Sequence, residues 1–113
     1  MVEGSQIDWG GHDNSTPDIV QELLDMDRAL GISLKFAQEN RETRVIVTAD
    51  HETGGMTING GDFNKGTVTV RYTTSSHTAV MVPVFAFGPG AEMFQGIYNN
   101  TDLFKKMKLL FGF

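Results

Sequence analysis

The chain has 113 residues, enough for one small domain, and its 40% hydrophobic and 20% charged content sits near globular averages. Fourteen acidic against nine basic residues give a formal charge of −5, which argues against a nucleic-acid or anionic-membrane surface. The absence of cysteine rules out disulfides and thiol catalysis, and the longest apolar stretch, Ala79 to Phe87, is half of the ~20 residues a membrane span needs.

Residues 1–14 are Gly-rich and polar and gather Glu3, Asp8, His12 and Asp13. They have neither a charged n-region nor an apolar h-region, so a signal peptide is not expected there. Ser15, Thr16 and Pro17 announce a helix, with hydroxyls ahead of a proline at the first helical position. Ile19, Leu23, Met26, Leu30, Leu34 and Ala37 then recur at steps of three and four, which predicts an amphipathic helix from Pro17 to about Glu39 with Gly31 as its weak point. Arg44 to Ala49 is a continuous β-branched run, as expected of a central strand in a parallel sheet covered on both faces. Gly54 to Gly66 holds five glycines and reads as a flexible loop. Val68, Val70 and Tyr72 alternate with polar residues and predict a half-buried strand; Val80 to Phe87 predicts another, with Pro83 at an edge or bulge and Gly88-Pro89-Gly90 as its stop. Asn100 or Thr101 caps a last helix whose buried stripe is Leu103, Phe104, Met107, Leu110 and Phe111. Met26, Met56, Met81, Met93 and Met107 read as core filling.

These elements predict an α/β fold: a partial, mainly parallel sheet flanked by helices, with residues 1–113 as a single domain. A right-handed crossover needs a strand ahead of the first long helix, and only Met1 and Val2 stand there. The expectation is therefore a piece of a longer protein that starts at the end of a strand.

In open α/β sheets, ligands bind beyond the carboxyl ends of the strands. Asp50 and His51 follow one such strand, and Glu3, Asp8 and His12 follow the presumed earlier one. Carboxylate oxygen and imidazole nitrogen are the donors zinc takes where thiolates are absent, and Asp8 and His12, four residues apart, can meet at one ion on a helical turn or tight loop. His77, the third histidine, precedes the Val80 strand near the same edge. Each feature also has an ordinary reading. A D-x-x-x-H spacing occurs on solvated surfaces, an Asp after a strand can cap the next turn, Glu3 can be a loop carboxylate, and a lone loop histidine can simply be hydrogen-bonded. Ser75 and Ser76 lie beside His77 without a nucleophile-elbow motif around them.

Taken together, VEGSQIDWGGHDN (2–14), VIVTADHETGG (45–55), HT (77–78) and VPVFAFGPGAE (82–92) resemble the C-terminal half of alkaline phosphatase. NTDLFKKMKLL (100–110) is similar to that family's closing helix, which implies that the chain ends at the natural C-terminus. The resemblance implies a phosphomonoesterase with two zinc ions and one magnesium ion in the parent protein. Asp8, His12 and His77 match the protein ligands of the first zinc, Asp50 and His51 match ligands of the second, and Glu3 matches a magnesium carboxylate. Trp9 stands where members differ, at a position that tunes the magnesium neighbourhood. The family's serine nucleophile, its phosphate-clamping arginine and the remaining ligands lie in an N-terminal half that these residues do not match. The interval from His51 to His77 is short, so the family's insertion there is expected to be absent or trimmed.

The isolated chain is accordingly expected to bind about one zinc weakly and to hydrolyse phosphate monoesters negligibly. A periplasmic or extracellular parent is implied, and homodimerisation or other self-association is expected through surface left uncovered. The rival readings are another metallohydrolase of the same superfamily (phosphodiesterase, sulfatase or phosphomutase type) and a non-catalytic dimerisation or interaction fragment.

Overall fold

The computed structural model describes residues 1–113. In chain order the elements are helix α1 (Ser5–His12), helix α2 (Thr16–Asn40), strands β1 (Val45–Thr48), β2 (Glu52–Thr53), β3 (Thr57–Asp62), β4 (Thr67–Arg71), β5 (His77–Thr78) and β6 (Val84–Phe87), a 3-10 turn (Ala91–Phe94) and helix α3 (Asn100–Phe111). Helix α2 follows the periodicity closely: Ile19 and Ala37 are buried, and Met26, Leu30 and Leu34 are half-buried on the same face. Its first turn is anchored by the Ile19 N–H donating to the Ser15 carbonyl at 3.1 Å.

The α/β character of a partial fold stands, but the expected parallel pairing is corrected. The strands form three two-stranded ladders, β1–β6, β2–β5 and β3–β4, and all are antiparallel. A parallel crossover into β1 would require a strand ahead of α2. Within this chain residues 5–12 form α1, and β6 runs back along β1 with Val45 opposite Phe87 and Thr48 opposite Val84. The predicted Gly54–Gly66 loop is also corrected, since Thr57–Asp62 pairs with Thr67–Arg71 as a hairpin with a bulge between Ile58 and Gly60. The strand predicted from Val80 is confined to Val84–Phe87, because Pro83 has no N–H to donate to a ladder.

Two compact units divide the chain. The first holds residues 1–28 and 51–81, with α1, the first half of α2 and the β2–β5 and β3–β4 ladders. The second holds residues 29–50 and 82–113, with the rest of α2, the β1–β6 ladder, the 3-10 turn and α3. In the second unit Ala37 and Phe94 are buried, and the Lys106 ammonium both donates to the Met93 carbonyl at 2.6 Å and lies 4.3 Å from the centre of the Tyr98 ring.

Much apolar surface is left in water. Leu23, Phe36, Phe85, Phe104 and Phe111 are all exposed, as is Met81, which corrects its reading as core filling. This chain exposes 8628 Å². No helix is long and apolar enough to cross a membrane.

Gly31 allows a simple check of α2. Nothing lies within 4 Å of where its Cβ would stand, so Gly31→Ala is expected to stabilise the protein by about 0.5–1 kcal/mol through reduced backbone entropy in the unfolded chain. Urea unfolding followed by circular dichroism measures it.

Candidate metal centre

Two local geometries build the centre, both within the first compact unit. Residues four apart share a helix face, so one turn of α1 presents Asp8 and His12 together, with His12 Nε2 3.5 Å from Asp8 Oδ2. In the β2–β5 ladder, His77 stands opposite Thr53. Side chains alternate along a strand, so His51, Thr53 and His77 occupy one face and Glu52 and Thr78 the other. The His51 and His77 rings stack with centroids 3.5 Å apart and planes tilted by 20°.

His77 Nε2 lies 3.1 Å from His12 Nε2 and 3.7 Å from Asp8 Oδ1. One donor atom from each of Asp8, His12 and His77 falls within 4.8 Å of the others. Bonds of 2.0–2.1 Å to a tetrahedral zinc ion place neighbouring donors about 3.3 Å apart. The observed separations bracket that spacing.

Hydrogen-bond chemistry settles which His12 nitrogen is bare. Its Nδ1 lies 2.7 Å from the Ser75 carbonyl oxygen, which can only accept, so the proton of the neutral ring is on Nδ1 and the Nε2 lone pair faces Asp8 and His77. Ligating imidazoles are oriented in this way by a carbonyl or carboxylate behind them.

Thr53 ties the two geometries together. Its hydroxyl donates to Asp8 Oδ1 at 2.5 Å and lies 3.2 Å from His51 Nδ1. That hydrogen bond is the chief cause holding the Asp8 carboxyl below its usual range; partial burial opposes it, and His12, His77 and His51 reinforce it. With its native value depressed, Asp8 contributes stability that is in full above the ordinary carboxylate range and is lost as pH falls through the lowered value. On the opposite face, burial pushes the Glu52 carboxyl up. Hydrogen bonds from the Thr78 hydroxyl and from the Met56 and Gly55 N–H groups outweigh that, so the net direction is down. Glu52 thereby fastens the turn after β2 to β5. Within that turn Gly55 has φ +58°, and a Cβ there would stand 1.9 Å from Thr73 Oγ1, so only glycine fits.

Among the residues singled out from sequence, Asp8, His12 and His77 come together, and His51 joins them by stacking. Glu3, in the irregular segment ahead of α1, and Asp50, between β1 and β2, are exposed and stand outside the three-residue group. Asp8 and His12 meet on a helical turn, as their four-residue spacing allows, while the strand ahead of Asp50 and His51 pairs antiparallel with β6, not in the parallel order expected. Thr53 is not among the residues the sequence singles out, and its one signal there is its alternation with His51. Ser75 contributes its carbonyl, not its hydroxyl, to the site.

The profile of the alkaline phosphatase family matches residues 1–70 and 62–112. The chain belongs to the alkaline phosphatase family. Alkaline phosphatase 4 of Bacillus subtilis is 31% identical over 179 residues, covering 96% of this chain and 39% of the relative. Streptomycin-6-phosphate phosphatase of Streptomyces griseus is 34% identical, over 99% of this chain and 29% of that protein. Among solved structures, alkaline phosphatase from the Antarctic bacterium TAB5 superposes with a TM-score of 0.87 at 43% identity, covering 96% of this chain and 33% of that one. A variant of the TAB5 enzyme is described with Mg bound in its M3 site. The chain thus spans about two fifths or less of the length of these alkaline phosphatases and their relatives. The Bacillus alignment is longer than the chain itself, so that alkaline phosphatase carries additional residues within the matched span.

Proposed function

We propose that this chain is the C-terminal, metal-holding part of a zinc- and magnesium-dependent alkaline phosphatase that hydrolyses phosphate monoesters. The observation that carries this reading is the convergence of Asp8, His12 and His77 at donor spacings suited to one divalent ion. One carboxylate and two imidazoles fit zinc by donor chemistry, and three protein ligands leave a position open, as catalytic zinc sites do. Bound there, the ion supplies Lewis acidity toward a phosphoryl oxygen and lowers the pKa of water.

The chain's own residues hold the site in readiness. Ser75 fixes the His12 ring with its lone pair inward, Thr53 fixes the Asp8 carboxylate, and the His51 stack limits rotation of His77. All three ligand side chains are between 36% and 49% exposed, which gives a phosphate ester access from solvent. Asp50 and His51 serve a second zinc and Glu3 a magnesium ion, by their match to the family's motifs. The whole protein acts in the periplasm or outside the cell. The exposed apolar side chains support association with a second copy or with further polypeptide.

Two measurements on the 113-residue protein test this. After dialysis in zinc buffer, metal analysis is expected to find about one zinc per chain, and p-nitrophenyl phosphate turnover is expected to be negligible, because no residue matches the family's serine nucleophile. Failure to retain zinc overturns the site. Turnover that survives purification and disappears in the His77→Ala variant overturns the assignment of inactivity to the isolated chain.

A further inference from the structure

We propose that the Asn59–Gly60 peptide of the β3–β4 hairpin is a self-modification site, where the asparagine cyclises onto its own backbone and becomes aspartate or isoaspartate. Among Asn14, Asn40, Asn59, Asn64, Asn99 and Asn100, only Asn59 precedes a glycine. Cyclisation brings the next backbone nitrogen onto the asparagine's side-chain carbonyl carbon, and a side chain on that next residue obstructs the approach. Glycine has none and leaves the backbone free to turn. The Gly60 nitrogen gives its proton to solvent and bonds to Asn59 Cγ; the Cγ–Nδ2 bond breaks, and ammonia leaves with a proton from solvent. Water then opens the cyclic imide. Opening at Cγ gives aspartate, and opening at the backbone carbonyl carbon gives isoaspartate, whose main chain runs through the side chain. The net reaction consumes a water and releases an ammonia, with no change of oxidation state.

An Asn-Gly pair in a hairpin ordinarily builds its two-residue turn. Here the turn lies elsewhere, where Asp62 accepts from the Asn64 and Lys65 N–H groups. The pair falls instead inside β3, at the bulge. Ile58 pairs with Val70 and Gly60 with Thr69, so Asn59 is the extra residue, with no partner across the ladder. Asn59 is exposed, and its side-chain amide has no hydrogen-bond partner within the protein. Other asparagines are held. Asn14, in the amide orientation its neighbours require, donates to the Gly11 and Thr74 carbonyls at 3.0 and 2.9 Å. Asn40 accepts from the Glu42 N–H at 3.1 Å and the Thr43 hydroxyl at 2.7 Å. Nor does the backbone need glycine at position 60: its φ is not positive, and nothing lies within 4 Å of where its Cβ would stand. Both products add a negative charge, and isoaspartate also lengthens the main chain where pairing resumes at Gly60 and Thr69. The reaction does not depend on the metal reading above.

Incubation of the 113-residue protein in neutral buffer over days tests the proposal, with peptide mass spectrometry at each time point. Methyl transfer by a protein-isoaspartate methyltransferase is the second readout. Conversion is expected at residue 59 ahead of every other asparagine, with isoaspartate among the products. Its rate in the folded protein is expected to lie within about tenfold of that in urea, because a bulge residue lacks the restraint of the ladder. Gly60→Ala places its Cβ in open space and is expected to keep the fold by circular dichroism while slowing conversion more than about tenfold. An Asn59 that stays an amide in the folded protein and converts only in urea overturns the proposal, as does earlier conversion at Asn64 or Asn100. Both of these are read on the unmodified protein, so they hold whether or not the alanine variant folds. Equal rates in the unmodified protein and a folded Gly60→Ala also overturn it.

Discussion

Replacing His77 with alanine is expected to lower zinc affinity by more than about 100-fold, beyond the range produced by changes behind the ligands. The variant removes one of three donors and leaves Asp8 and His12, one helical turn apart, as a two-point site. The fold is expected to tolerate the loss. His77 joins β5 through its backbone pairing with Thr53, and its side chain is 49% exposed, so little packing goes with the imidazole. Its stack on His51 disappears as well, which makes His51→Ala the informative companion. If His51 only supports the ring of His77, its removal costs about 10–100-fold in affinity. Competition titrations against a chromophoric chelator rank the three proteins, with far-UV circular dichroism as the check on folding. Equal affinity in the unmodified protein and His77→Ala would falsify the convergence of Asp8, His12 and His77 on one ion.

The parts of this fold legible in the sequence are those decided locally. The three-and-four spacing from Ile19 to Ala37 marks α2 because a helix imposes that period on any face it buries. The same spacing could not tell whether the face was covered: Ile19 is buried, whereas Leu23 on the same stripe is 55% exposed. Strand pairing was less legible. The glycines at 60 and 61 are poor strand formers and concealed a hairpin whose turn is organised by Asp62, which accepts from the Asn64 and Lys65 N–H groups at 2.9 and 3.2 Å. Parallel order depends on a neighbouring strand that would end at Val2, whereas within this chain β1 pairs with β6 alone, antiparallel, a return that residue types do not announce.

At the site, residue type makes Glu3, Asp8, His12, Asp50, His51 and His77 candidates, because few side chains can ligate zinc, and the resemblance to alkaline phosphatase groups Asp8, His12 and His77 as one set. Thr53 and Ser75 could not stand out in that way. Hydroxyls and carbonyls are everywhere along a chain, and only the folded distances to Asp8 and His12 select these two. Glu3 and Asp50 were grouped with the others by their place after strands, actual or presumed. The three-residue group forms without them, on a helix turn and a short ladder.

The second large effect reverses the usual sign of a helical substitution. Gly11→Ala is expected to destabilise the protein by about 1–2 kcal/mol, although alanine ordinarily favours a helix over glycine by about 1 kcal/mol. Gly11 lies in the last turn of α1, and its Cβ would meet Thr53 Cβ at 2.9 Å, Thr53 Cγ2 at 3.0 Å and the Thr53 carbonyl at 3.1 Å. None of these is the loose end of a flexible side chain. Relief requires α1 and β2 to separate, and that separation lengthens the hydrogen bond from Thr53 to Asp8. Stability and zinc affinity are therefore expected to fall together, which an ordinary surface change would not produce. Gly31→Ala is the matched control, because its Cβ enters open space and only the backbone entropy gain remains. Urea unfolding of both variants, paired with chelator competition, separates the two contributions. If both alanines stabilise the protein equally, α1 is not seated against Thr53, and the close approach that aligns Asp8 with the histidines is lost from the account of this site.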